Sequence, residues 1–254
     1  MLNDEFLEMK VKWFNESVGT LNEFDGIDCD KCKNKGVISY IKESNGKKFE
    51  YSQECSCVKK RKVYSKAKES GLGEFLNKRS KDYLATNEWQ KQNKQLLVNF
   101  CMNENDTNTW FIALGQSGSG KTLLCSIIAN HFLFNQNKEV IYITWTDFIS
   151  KLKRDMMGDS TKEVSNYLDE IKNAEVLFID ELLKKYNETD LKYIIEIINY
   201  RYTNDLKTII TSERNIDNLL DIDEATFGRV LEKAKGFVID IARDRSKNYR
   251  LRFL

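Results

Sequence analysis

One segment, WFIALGQSGSGKTLLCSIIANHFLF, constrains this 254-residue chain more than any other. An apolar run, Trp110–Leu114, has the length and composition of a buried strand. It meets a loop of the form G-x-x-x-x-G-K-T, which opens in turn on an apolar, helix-prone run. Glycines free the loop backbone to curl, so that successive N–H groups and the helix N-terminus converge on an anionic group. Gly115, Gln116, Ser117, Gly118, Ser119, Gly120, Lys121 and Thr122 are therefore candidates for holding a nucleotide's phosphates. Lys121 is placed to reach the outer phosphates, and the Thr122 hydroxyl to ligate Mg²⁺.

A second element completes this reading. The run Val176–Ile179 in AEVLFIDELLKK is a buried-strand pattern that ends in Asp180-Glu181. Asp180 is expected to hold Mg²⁺, and Glu181 to orient and polarise an attacking water. Further strand patterns occur at 139–145, 207–213 and 237–241, separated by helix-like segments. Five strands alternating with helices predict an α/β fold with a five-stranded parallel sheet covered on both faces. The helix predicted over 190–202 is apolar on several sides and should be largely buried.

The first part of the chain has a different character. Residues 1–57 carry eight basic and eleven acidic side chains, a net −3, whereas 58–81 carry nine basic and two acidic, a net +7. The chain reads as a small acidic module (1–57), a basic linker (58–81) and a nucleotide-binding domain (82–254). Its total charge of +1 excludes a generally basic nucleic-acid binder. The N-terminus lacks the pattern of a secretory signal, and no apolar run approaches the roughly 20 residues needed to span a bilayer. A cytoplasmic protein without membrane contact is expected, and there paired cysteines point to metal before disulfides.

Cys29 and Cys32 form C-x-x-C, and Cys55 and Cys57 form C-x-C. Between the pairs lies a predicted β-hairpin over 36–53, turning at Asn45-Gly46. Two close pairs flanking a hairpin can bring four thiolates to one tetrahedral Zn²⁺ of structural type. The alternative is four unligated thiols. Upstream, Leu2, Phe6, Met9 and Trp13 fall on one face of a helix predicted over about 3–18. That face either packs on its own module or binds a partner.

The segments GQSGSGKT, LFIDEL, TIITSE and LLDIDEATFGRVLEKAKGFVIDI resemble the DnaC/DnaI family of replicative-helicase loaders, particularly phage-encoded members. The similarity covers most of 75–254, and a zinc-type N-terminal module also fits the family. The resemblance implies an AAA+ ATPase acting in DNA replication. It would use ATP and Mg²⁺, self-associate through its AAA+ domains, bind a DnaB-type helicase hexamer and deliver it to DNA. It assigns Glu181 and Lys121 as catalytic, with Arg229 as an arginine finger reaching a neighbouring subunit's γ-phosphate. Thr211 or Ser212 takes the sensor position, where Glu213 departs from the usual Asn or Asp. It also implies that no helical lid follows Ile241, that Arg250 is a candidate nucleotide contact, and that Lys151, Lys153 and Arg154 are candidate contacts to single-stranded DNA. Two rivals stay open: an IstB-like transposition helper, and a non-catalytic phage protein that caps a host loader or helicase.

Overall fold

The computed structural model describes residues 2–103, 108–157 and 161–251. It divides into two compact units, Met1–Ser65 and Lys66–Leu254.

In the first unit, helix α1 (Leu2–Glu16) and a short helix α2 (Leu21–Asp25) precede strands β1 (Val37–Ser44) and β2 (Lys47–Glu54). The strands pair antiparallel, with Tyr40 opposite Tyr51 and Lys42 opposite Phe49. Asn45 and Gly46 both take φ > 0, the conformation that a two-residue hairpin turn requires. Helix α1 covers one face of this hairpin. Asn15 brackets Ser39, donating to its carbonyl at 2.7 Å and accepting from its N–H at 3.0 Å. The ion pairs Lys10–Glu50 and Lys48–Glu8, each at 2.6 Å, fix the same face. Phe6, Met9 and Trp13 point away from it and are between 60% and 70% exposed. The side chain of Leu2 lies outside the described residues.

Helix α3 (Ser56–Ala67) begins between the last two clustered cysteines. Its Arg61 is buried, donating to Asp25 Oδ2 and to the Ile27 carbonyl, both at 2.6 Å. The basic run is thus partly structural: a buried guanidinium needs such partners. The stretch 68–82 continues as short helical turns broken at Gly71, and buries Leu72 and Leu76.

The second unit is built on a parallel sheet of order β4-β5-β6-β3-β7. The strands are β3 (Phe111–Gly115), β4 (Val140–Thr144), β5 (Val176–Asp180), β6 (Lys207–Thr211) and β7 (Val238–Ile241). Alternate side chains serve opposite faces. Ile112, Leu114, Ile141, Ile143, Leu177, Ile179 and Ile210 join one core with helices α6 (Trp145–Met157), α7 (Thr161–Asn173), α8 (Glu188–Thr203) and α10 (Glu224–Lys233). Phe111 instead meets Phe100 of α4 (Glu88–Met102), edge to face at 5.1 Å, and Phe100 meets Phe132 of α5 (Lys121–Asn135). A short α9 (Ile216–Leu220) leads into α10. Among the described residues, Ile241 is followed by two short 3₁₀ turns, Arg245–Lys247 and Tyr249–Leu251.

One buried cation organises the junction of α7, α8 and β6. Arg201 is fully buried and donates to the carbonyls of Lys172 and Ala174 at 2.9 Å and of Lys207 at 2.6 Å, and to Thr208 Oγ1 at 2.9 Å. Its guanidinium thereby serves carbonyls that the end of α7 leaves without helical partners. Burial pulls its pKa down to about 9.

Candidate functional site

The loop from Gly115 to Gly120 leaves β3 and enters α5. Gly115, Gly118 and Gly120 all take φ between +70° and +91°. A Cβ at Gly115 would collide with the Ile241 carbonyl, and the positive φ at Gly118 strains any residue with a side chain, so both positions favour glycine. Lys121 lies buried in the loop's curl, donating to the carbonyls of Gly115 at 2.8 Å and Gln116 at 2.7 Å. Burial lowers its pKa, and the charges of Glu213, Asp180 and Glu181 work in the opposite direction.

Parallel pairing carries the end of β5 to the start of α5. Thr122 Oγ1 donates to Asp180 Oδ1 at 2.9 Å, which brings the two expected Mg²⁺ ligands into contact. Asp180 is held from two further sides. The Tyr142 hydroxyl, from β4, donates to Oδ2 at 2.9 Å, and Thr211 Oγ1, from the end of β6, bonds Oδ1. Burial, then the charge of Asp180, keeps the Tyr142 phenol protonated by raising its pKa. No local sequence signal marks Tyr142 as part of the site. It stands two residues before Thr144, the register partner of Asp180, and that pairing is visible only once the sheet order is known.

Glu181 follows in a left-handed turn, at φ +53°. Such a conformation costs a non-glycine residue on the order of 1–3 kcal/mol and needs external support. The Glu181 N–H donates to Thr211 Oγ1 at 3.0 Å, the Leu182 N–H to the Thr211 carbonyl at 2.8 Å, and Ser212 Oγ to the Leu182 carbonyl at 2.7 Å. Of the two sensor candidates, Thr211 touches the acidic pair, whereas Ser212 braces the turn. The carboxylate of Glu181 pairs with Lys184 at 2.7 Å, and Lys184 also faces Glu213 at 3.9 Å.

These groups line a cavity of about 410 Å³. Its lining includes the loop, Glu181, Thr211 and Glu213, together with Phe75, Tyr83, Leu84, Tyr249 and Arg250. The final turn closes over the loop: the Tyr249 N–H donates to the Gly118 carbonyl at 2.9 Å and its hydroxyl to the Leu84 carbonyl at 3.0 Å.

Other expected residues lie elsewhere. Arg229 sits half-buried on α10, donating to Asn199 at 2.5 Å, and is not part of the cavity lining. On α6, Lys153 pairs with Asp190 at 2.7 Å, Lys151 stands 3.5 Å over the Tyr167 ring, and Arg154 is exposed.

A second candidate site lies in the first unit. The sulfurs of Cys29, Cys32, Cys55 and Cys57 all fall within 4.8 Å of one another. Cys29 and Cys55 are 3.8 Å apart, and Cys32 and Cys57 are 3.5 Å apart. These distances are too long for disulfides, and all four thiols are free. A tetrahedral ion with bonds of about 2.3 Å requires sulfurs about 3.8 Å apart. The donor set therefore fits a four-coordinate metal. Gly36, at φ +76°, donates its N–H to Cys32 Sγ at 3.3 Å. Burial opposes ionisation of Cys32, but this N–H and the neighbouring thiols outweigh it and hold the pKa down to about 6. Burial pushes Cys57 up to about 12.

Fold and site together show a phosphate-binding loop on the parallel sheet of the second unit, which carries an AAA-type domain. Residues 111–227 match the model of the ATPase family associated with various cellular activities. The phage-like element PBSX protein XkdC of Bacillus subtilis is 28% identical, over 84% of this chain and 82% of its own. The replicative helicase loader DnaC of Buchnera aphidicola subsp. Baizongia pistaciae is also 28% identical, over 58% of this chain and 60% of its own. A crystal structure of the DnaC helicase loader superposes with a TM-score of 0.56 at 21% identity, over 67% of this chain and 99% of that one. The chain thus resembles the DnaC/DnaI helicase loaders in sequence motifs and in fold. Among the described residues, no helix is long and apolar enough to cross a membrane.

Proposed function

We propose that the protein is an ATP-hydrolysing loader of a DnaB-type replicative helicase. The observation that carries this is the contact of Thr122 with Asp180, next to Glu181, within a fold shared with DnaC. In this reading, loop N–H groups and Lys121 hold the triphosphate; Thr122 and Asp180 would hold Mg²⁺, which would offset charge on the phosphate oxygens. Glu181 accepts a proton from water as that water attacks the γ-phosphorus; the bond to the β-phosphate oxygen breaks, giving ADP and phosphate. Arg229, remote from its own cavity, supplies its charge to a neighbouring subunit's site, so self-association completes catalysis.

The first unit serves as the helicase grip. Zn²⁺ on Cys29, Cys32, Cys55 and Cys57 would act structurally, since four protein ligands leave no open position. A module this small gains rigidity from such a staple. Phe6, Met9 and Trp13, exposed on one face of α1, offer the apolar anchors that a groove on the helicase would accept. Exposed Arg154 provides a weak phosphate contact to single-stranded DNA, with Lys151 and Lys153 beside it on α6.

Co-purification with the host's DnaB-type helicase, with and without a non-hydrolysable ATP analogue, tests this reading. A stable complex is expected, and its absence under both conditions would defeat the proposal. Phosphate release supplies the second arm. Glu181→Gln should cut turnover roughly 10²-fold or more while ATP still binds. Equal, negligible rates in both proteins would favour a non-catalytic cap instead.

A further inference from the structure

The outer face of the hairpin carries chemistry that nothing above uses. Side chains alternate across a strand pair. Glu43, Glu50 and Glu54, all three of the hairpin's carboxylates, belong to the face that α1 covers, together with Ser39 and Lys48. The opposite face presents Tyr40, Lys42, Lys47, Phe49 and Tyr51, and no acid. Its aromatic rings are exposed: Tyr40 by 37%, Tyr51 by 42% and Phe49 by 45%. Tyr40 and Tyr51 lie nearly parallel, with centroids 5.9 Å apart. Phe49 occupies the next row, opposite Lys42, and Lys47 the row beyond.

We infer that this face is a platform for single-stranded nucleic acid. Exposed rings bind bases by stacking, and adjacent lysines take the phosphates. The segregation of charge argues for a polyanion: in a region of net −3, the one face with rings has only cations. Spacing argues for a single strand. Successive rows on one face of a hairpin lie about 6.8 Å apart. That is twice the roughly 3.4 Å step of a stacked duplex. Bases splayed apart can use both rows, whereas paired and stacked bases cannot. The contact is independent of sequence, since every base offers a ring face. It is separate from the ATP site and from the α6 cations, and does not depend on the loader reading.

Fluorescence anisotropy of a labelled oligothymidylate with the full chain, without nucleotide or helicase, tests the inference. The wild type should bind this strand more tightly than a duplex of equal length. Phe49→Ala should weaken binding roughly tenfold, and adding Tyr40→Ala and Tyr51→Ala should weaken it further. Tyr40→Phe with Tyr51→Phe keeps the rings and should bind as the wild type does. Lys42→Ala with Lys47→Ala should reduce the slope of log affinity against log salt by about 1.4. This exposed pair carries the test if the aromatic variants misfold. Unchanged affinity and salt slope in the alanine variants would overturn the inference. Loss of helicase co-purification with oligonucleotide binding intact would also overturn it, and would mark the face as a protein contact.

Discussion

Lys184 holds the carboxylate of Glu181 at 2.7 Å, with the Glu213 carboxylate 3.9 Å from the same ammonium. In the proposed reaction this carboxylate takes a proton from water, yet here an ammonium occupies it. Removing that ammonium with Lys184→Ala should raise basal ATP turnover with little change in KM. An exposed ion pair contributes up to about 1 kcal/mol, so the rise should stay within roughly fivefold. Pairing raises the Lys184 pKa above its ordinary value. The pair therefore persists through neutral pH and is lost as pH climbs through that raised value. Steady-state phosphate release across pH measures both effects, and an unchanged kcat would show that the pair does not restrain Glu181.

The Tyr142 hydroxyl orients Asp180 from the buried side of the site. Tyr142→Phe keeps the ring against Phe178, at 5.0 Å, and removes only the donor. A hydrogen bond to a charged group contributes about 1.5–3 kcal/mol. Turnover titrated with Mg²⁺ should show a demand for the ion about tenfold higher or more, with ATP binding in its absence little altered.

Chelation should act on the first unit and spare the second. Purified protein is expected to release one equivalent of zinc on thiol modification. Cys57→Ala should abolish that release and unfold the hairpin region, read as increased proteolysis within 1–65. ATP binding by the second unit should persist. A chelated protein with an intact, protease-resistant first unit would refute the structural role of the metal.

Arg201 is expected to dominate the stability of the second unit. Arg201→Met fills the space but strands the carbonyls of Lys172, Ala174 and Lys207. Each buried acceptor left without a donor costs about 1–3 kcal/mol. The urea midpoint should fall by the equivalent of at least about 3 kcal/mol. Arg201→Lys should recover only part of this, because an ammonium cannot spread over so many carbonyls.

The strand–loop–helix segment, the acidic strand end and the cysteine spacing were legible because each is local. Strand composition, glycine placement and short ligand intervals report directly on backbone geometry. The hairpin was legible from Asn45-Gly46 for the same reason. Tyr142 and Tyr249 were not, because their roles come from strand order and from contacts distant in sequence. Choosing Thr211 over Ser212 required knowing which side of β6 faces Asp180. The basic segment 58–81 was read by charge alone, which could not show that Arg61 turns inward to Asp25.

The bond from the Tyr249 N–H to the Gly118 carbonyl has a consequence for signalling. The hydroxyl of the same residue grips the Leu84 carbonyl and receives a hydrogen bond from Gln90. One tyrosine thus clasps the phosphate loop to the approach of α4, 165 residues away in sequence. Any tightening of the loop around a phosphate would tug on that clasp. The occupancy of the site would then be felt at the start of α4, through a strap of a few residues.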